Sequence, residues 1–360
     1  MQTHKLTFEL LSPVITPFHA DTIFGHYAWA LRYIKGEKHL EEFLEQMQVF
    51  PLVLFSDGFP EGLFPRPVTP PFTDMQELLM WKIFTMNIPD SIAFNLALKK
   101  LKKVQYISLN TFAEMSDDYS EPALYSRVFG GELCSKDFAS RGGECTEGDE
   151  SCLDLPPYTT SACRKKTHFE KEIVAHNTIN RISNTTGAGG GFYQVEETFY
   201  ETGQRFNIYV KCSESVLPEV KDVFKVIEFG GFGKDKSTGK GRFSILSWET
   251  FDLPESTEPN TVMSLSSMIP ARDDPTDARY QLMTKYGRLG GDFAKSAYPG
   301  GHALIPFKKP LIMMKAGAVF SWDNNAPKKD YLGCLMANVH HYAPIRHYAY
   351  GFPLYFTFAE

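Results

Sequence analysis

Gly230 to Phe243 reads GGFGKDKSTGKGRF, placing five glycines and four basic side chains in one connector. Before it, Val216 to Phe229 (VLPEVKDVFKVIEF) spaces Val220, Val223, Phe224, Ile227 and Phe229 for one face of a helix. After it, Arg242 to Glu249 (RFSILSWE) alternates apolar and polar residues as a strand does. The order helix, glycine loop, strand excludes a P-loop and a dinucleotide fingerprint, because both need the strand first. The letters agree: a P-loop would need Gly at Lys234 and Ser or Thr at Gly241, and GxGxxG would need Gly at Lys236.

Lys234, Lys236, Lys240 and Arg242 against Asp235 leave a local charge of +3. Two readings of this loop stand on composition alone. It is a solvated turn, or it is a cradle in which glycine lets backbone N–H groups approach phosphate oxygens while the lysines supply charge.

The motif resembles the glycine-rich signature of the RAMP superfamily of CRISPR-associated proteins. Three further stretches resemble the same superfamily: Leu10 to Leu31 (LLSPVITPFHADTIFGHYAWAL), Pro51 to Pro67 (PLVLFSDGFPEGLFPRP) and His176 to Gly187 (HNTINRISNTTG). Within it they are most similar to the subunit of the type III-A Csm effector complex that holds the 5′ end of the CRISPR RNA. The likeness runs through the first two thirds of the chain and returns only weakly at Tyr350 to Pro353. It implies an α+β, ferredoxin-like (RRM-like) fold and an RNA-binding role without catalysis. It also implies three partners: the CRISPR RNA 5′ tag, the large subunit with nuclease and polymerase-palm domains, and the backbone RAMP subunit of the Csm complex.

The residues agree with that fold. Lys5 to Leu11 reads as a first strand, Ser12, Pro13 and Pro17 break it, and a helix capped by Asp21 ends near Gly36. Strand, loop, helix opens a βαββαβ unit, and helix, loop, strand closes one. Further helices are expected over about 74–84 and 89–103, with a strand at Tyr106 to Thr111. Phe192 to Phe199 and Arg205 to Lys211 read as a hairpin of central strands. The expected domains are 1–250, with an insertion at about 114–163, and a smaller β-rich unit at 251–360, also ferredoxin-like. GGDF at Gly290 to Phe293 lacks the further carboxylates of a two-metal cyclase site and reads as a hairpin turn.

The chain's 360 residues, 43% of them hydrophobic, suffice for sizeable cores, and its net charge of −6 argues against non-specific coating of nucleic acid. Any RNA surface must be a local basic patch. No basic segment precedes a long apolar run at the N-terminus, and no stretch reaches eighteen apolar residues, so a cytoplasmic chain without a membrane contact is expected. No cofactor is expected.

Two groups of residues invite chemistry. Cys134, Cys145, Cys152 and Cys163 lie in the acidic insertion and could hold zinc, but the close CxxC pairs of zinc knuckles are missing, so inert thiols are the favoured reading. His19, His26 and His176 could each serve as general base in a guide-processing RAMP endoribonuclease, which is the alternative function, though neither His19 nor His26 has a visible orienting partner. The RNA-binding set is therefore Phe18, His19, His176, Asn177 and Arg181 with Gly230, Gly231, Gly233, Lys234, Lys236, Ser237, Lys240 and Arg242 of the loop. Amides and cations would position phosphates, while Phe18, Phe232 and Tyr193 would stack bases.

Overall fold

The computed structural model describes residues 1–85, 95, 99, 102–129, 169–179, 181–186, 191–294, 305–324 and 326–359. β1 (Gln2–Leu10) leads into α1 (Ala20–Lys35), and Gly36 at φ 90° turns the chain directly into α2 (Glu37–Val49), a helix the sequence reading had not marked. Three short strands follow, β2 (Val53–Phe55), β3 (Phe59–Pro60) and β4 (Leu63–Pro65), then α3 (Asp74–Thr85). Next come β5 (Tyr106–Ser108), α4 (Leu109–Met115) and α5 (Glu121–Phe129). β6 (Phe169–Asn177), β7 (Phe192–Tyr200), β8 (Arg205–Cys212), α6 (Leu217–Gly230) and β9 (Phe243–Thr250) complete the first unit.

The main sheet runs β2-β8-β1-β9 with antiparallel neighbours. Its last strand lies beside its first, and its two inner strands are β1 and β8, which is the expected ferredoxin-like arrangement. Leu6 and Phe8 of β1 and Ile208 of β8 meet Ile23 of α1 and Phe224 and Ile227 of α6 in one apolar layer. Each such side chain contributes about 1.5–3 kcal/mol by leaving water. Phe229 is not part of the layer: it stands two residues past Ile227, off the stripe, and is 96% exposed.

Several expectations are corrected. Asp21 does not cap α1. The cap position is His19, and the free N–H of Ala20 donates to Asp57 Oδ1 at 2.8 Å. The strand at Tyr106 stops at Ser108 because the Ser108 hydroxyl accepts the Thr111 N–H at 2.9 Å and starts α4. Residues 114–129 are not loose insertion, since α5 carries the fully buried Leu124 beside Tyr119, and Glu121 pairs with Arg66. The four cysteines of the insertion and most of the helix expected at 89–103 lie outside the described residues.

The expected hairpin does not form either. β7 pairs with β6 from Phe169 opposite Tyr200 to Asn177 opposite Phe192, as a two-stranded ribbon. The physical reason is burial. β8 buries Phe206, Ile208 and Val210 on one face and Asn207 and Tyr209 on the other, so it belongs mid-sheet, whereas β7 buries only Val195 and Glu197.

The C-terminal residues form β10 (Thr261–Ser264), β11 (Ala278–Arg279), β12 (Leu282–Lys285), β13 (Leu311–Met314), β14 (Val319–Ser321), β15 (Leu332–Met336), β16 (His347–Gly351) and β17 (Pro353–Phe356). The four-stranded sheet β11-β14-β10-β17 is β-rich as expected. A second βαββαβ unit is not: among the described residues past 250 the helical structure is one 3-10 turn at Gly291–Ala294, and the strands are joined by Pro- and Gly-containing loops. That turn, not a hairpin turn, is what GGDF forms. Gly291 sits at φ 53°, where a Cβ would come within 2.5 Å of the Trp29 ring.

Asp57 ties the two parts of the chain together. Its carboxylate is buried and accepts the Ala20 N–H, the Ser267 N–H at 3.1 Å and the Ser267 hydroxyl at 2.7 Å, with His19 Nδ1 at 3.1 Å. Burial alone would raise its pKa, but the His19 contact and these donors outweigh it and hold the carboxyl below its usual range. Asp57→Ala leaves several donors without an acceptor and is expected to cost about 3–5 kcal/mol in denaturant unfolding. A loss below about 1 kcal/mol would show that the tie contributes little.

Candidate nucleic-acid interface

α6 ends at Gly230, and the chain then passes through five residues at positive φ: Gly231 (74°), Gly233 (79°), Asp235 (59°), Gly239 (88°) and Gly241 (63°). Two of these glycines are required by space as well. A Cβ on Gly241 would lie 1.9 Å from the Phe232 carbonyl oxygen, and one on Gly233 would lie 2.7 Å from Thr16 Cβ.

The loop is clamped to the segment between β1 and α1. The Gly241 N–H donates to Pro13 O at 2.8 Å, the Arg242 N–H to Ser12 Oγ at 2.8 Å and the Lys234 N–H to Thr16 Oγ1 at 2.9 Å. The Gly233 N–H donates to His26 Nε2 at 2.9 Å. Burial, aided by the Lys236 charge, pushes the His26 pKa down to about 3, so the ring is a neutral acceptor. His26 is therefore an anchor of the loop and not a free base.

Phe232 plugs the loop into the core. Its ring stacks on Phe18 at 4.5 Å and meets His26 at 4.7 Å, and both phenylalanines are buried. This corrects their assignment as base-stacking platforms, because neither ring has a free face. What remains outside is the far half of the loop: Lys234, Lys236, Ser237 and, beyond the return strand of the loop, Arg242 are exposed. The Lys236 stem lies over Gly231, and partial burial of its ammonium lowers its pKa although the residue as a whole is exposed.

Lys240 has a different role from the other cations. Its Nζ donates to Glu197 Oε2 at 2.5 Å, while Glu197 Oε1 lies 3.2 Å from His176 Nε2. Glu197 is fully buried. One carboxylate of β7 thus joins the glycine loop to β6, two stretches the sequence reading had marked separately. The ribbon is fixed at the same place, since Val14 exchanges both backbone hydrogen bonds with Thr198, at 3.0 and 2.8 Å. His176 stacks on Tyr193 at 5.2 Å with rings 10° from parallel, and Asn177, Arg181, Phe192 and Tyr193 are exposed beyond it.

His19 lies apart from that cluster, hydrogen-bonded to Asp57 and within 3.3 Å of the Ser267 hydroxyl. Sequence reasoning missed Asp57, Glu197, Phe192 and the outward Phe229. Only Glu197 left a signal: in FYQVEETF, period-two alternation from Val195 points it inward, where an acid needs a partner. Among the described residues no cluster of three or more His, Cys, Asp or Glu can hold a metal, and no helix is long and apolar enough to cross a membrane.

A sheet of this order, with a glycine loop between its second helix and last strand, defines the class: ferredoxin-like proteins whose loop is folded back onto the first strand-to-helix turn. The model of the RAMP superfamily matches residues 15–244, and the chain belongs to that superfamily. Two solved structures share the fold over nearly the whole chain. A chain of the Csm1-Csm4 cassette in complex with AMPPNP is 14% identical with a TM-score of 0.54, covering 100% of each chain. A chain of the Csm3-Csm4 subcomplex in the type III-A CRISPR-Cas interference complex is 15% identical with a TM-score of 0.52, covering 96% of this chain and 99% of that one. No curated protein matches the sequence.

Lys240→Ala leaves the Glu197 carboxylate buried beside His176 alone and is expected to destabilise the chain by about 3–5 kcal/mol, whereas Lys234→Ala changes stability by less than about 0.5 kcal/mol. Parallel denaturant titrations compare them. His26 and His347 are both held near a pKa of about 3, chiefly by burial, below the ordinary 6.5. The unfolded chain therefore binds protons first, and stability falls as pH drops from about 6.5 toward about 3, by up to about 1.4 kcal/mol per unit for each ring. His26→Gln, which retains an acceptor for Gly233, is expected to flatten that dependence in melts between about pH 7 and pH 4.

Proposed function

We propose that the chain is a non-catalytic RNA-binding subunit of a type III-A CRISPR effector that grips the repeat-derived 5′ tag of the guide. In this reading it links the large subunit to the backbone RAMP subunit and works in the cytoplasm. The observation that carries the reading is the Lys240–Glu197–His176 bridge, which fixes the glycine loop beside the end of the β6–β7 ribbon. Lys234, Lys236 and Arg242 then lie on the loop, and Asn177, Arg181, Phe192 and Tyr193 at the end of the ribbon. Cations that set phosphate position beside aromatics and amides that read splayed bases are what single-stranded RNA recognition requires. The fold shared with structures containing Csm1, Csm3 and Csm4 supports the choice of effector.

The endoribonuclease reading keeps one observation in its favour. His19 has the buried orienting carboxylate that the sequence did not show, Asp57. Against it, Asp57 and the Ser267 hydroxyl both lie at Nδ1, so they orient the ring without supplying an acid for a leaving oxygen. Incubation with repeat RNA in the absence of metal separates the two: the proposed function expects intact RNA, and cleavage lost in His19→Ala would support the nuclease.

The test of RNA binding uses Lys234→Ala with Arg242→Ala, both exposed and outside the Glu197 bridge. Guide RNA retained per chain is expected to fall about tenfold at physiological salt, and the slope of log K against log salt to shrink by about 1.4 for two lost phosphate contacts. Unchanged guide content and slope in a folded variant would reject the proposal.

A further inference from the structure

A second surface lies on the C-terminal unit. β12 and β13 pair from Leu282 opposite Met314 to Lys285 opposite Leu311. The ladder continues through the Lys308 N–H to Gly287 O and the Leu289 N–H to Pro306 O, both 2.8 Å. One face of this ribbon turns inward, where Met313 is buried and Lys285 donates to Asp21 of α1 at 2.8 Å. The other face carries Tyr280, Leu282 and Tyr286 on one strand and Ile305, Phe307 and Ile312 on its neighbour, all between 44% and 68% exposed. Six large apolar side chains on one face exceed the scatter normal for a surface.

Among the described residues the outer backbone of β12 is also without a partner. Met314 exchanges its N–H and C=O with Met268 at 2.8 and 2.9 Å, so both point away from β12. Leu282, opposite it, forms a non-hydrogen-bonded pair, and its own N–H and C=O face outward, as do those of Thr284 two residues on. Among the described residues β12 has no strand partner except β13. Edge strands are normally blunted by a proline, a bulge or an outward charge, and this one presents Leu and Thr.

We propose that this edge and face receive an extended, aliphatic segment of a neighbouring protein subunit, which adds to β12 as a strand. Outward amides alternating with carbonyls match another peptide backbone, not a run of phosphates. Of the six side chains, Tyr280, Tyr286 and Phe307 offer a π-face on which a base could stack, while Leu282, Ile305 and Ile312 do not. Exposed Arg279, Arg288, Lys309 and Lys315 rim the patch, so the segment carries acidic flanks. The inference rests on the reading of the chain as an effector subunit, but not on its RNA contacts.

The experiment expresses the tagged chain with the other subunits of its effector and quantifies the proteins and RNA that co-purify. Leu282→Glu with Ile312→Glu places charge on the face, and Thr284→Pro removes an outward N–H without touching the β12–β13 bonds. Each is expected to reduce one protein subunit by about tenfold while guide RNA per chain and the melting curve stay at wild-type level. Amide exchange at Leu282 and Thr284 in the wild-type chain is expected to slow on assembly, a readout that needs no variant. Full subunit stoichiometry in both variants with unchanged exchange overturns the proposal, as does loss of guide with every subunit retained, which would assign the face to RNA. A wild-type chain that recruits no subunit also overturns it. Recruitment of subunits without guide would defeat the RNA reading and leave this one standing.

Discussion

The path of the glycine loop is fixed where Gly241 is pressed against the Phe232 carbonyl and donates its own N–H to Pro13. That contact brings the start of β9 to the end of β1, and the β1–β9 ladder continues from it as Leu10 opposite Phe243. Phe232 is thereby driven into the layer between sheet and helices, against Phe18 and His26. Pairing of the last strand with the first, closure of the core and exposure of the loop cations are consequences of one close backbone approach that only glycine permits.

Two buried carboxylates extend this organisation. Asp57 gathers donors from the start of α1 and from Ser267, and Glu197 gathers the loop lysine and His176. Neither is a surface ion pair, so each is costly unless every partner is present, and each therefore specifies which distant segments meet. They also explain how an acidic chain offers a basic surface. At the loop, the acid that would repel an anion is turned inward onto Lys240, while Lys234, Lys236 and Arg242 remain outside.

The ferredoxin-like unit was legible because its signals are local and repeated: the apolar stripe of α6, the glycines after it and the alternation of β9. The pairing of β7 was not, because a strand that buries one valine and one glutamate shows an alternating pattern whichever neighbour it takes. Site residues divided along the same line. The positions of the loop cations were readable, but Phe18 and Phe232 were assigned outward since an aromatic beside a glycine loop carries no mark of its facing. Asp57 was invisible as a single acid whose side-chain partner His19 stands 38 residues away, and Glu197 showed only its inward alternation, its partners His176 and Lys240 lying 21 and 43 residues away. On β12, nothing in the four letters Leu282 to Lys285 says that its outer edge has no partner among the described residues.

The loop's rigidity bears on how it would bind. Its inner half is held by hydrogen bonds from the backbone of Gly233, Lys234, Gly241 and Arg242 to fixed groups of the preceding turn and helix. Its outer half is closed on itself, the Thr238 and Lys240 N–H groups both donating to Asp235 O at 3.0 and 3.3 Å. A connector so rich in glycine would lose much entropy if it were ordered only on meeting a ligand. Here folding has already taken that cost, and an arriving phosphate chain has only its own freedom and that of the lysine side chains to lose. The glycines and the lysines therefore act at different stages, the first by fixing a platform and the second by holding charge above it. A change at Gly241 should disturb the sheet as well as the loop, while a change at Lys234 should be felt only when an anion is present.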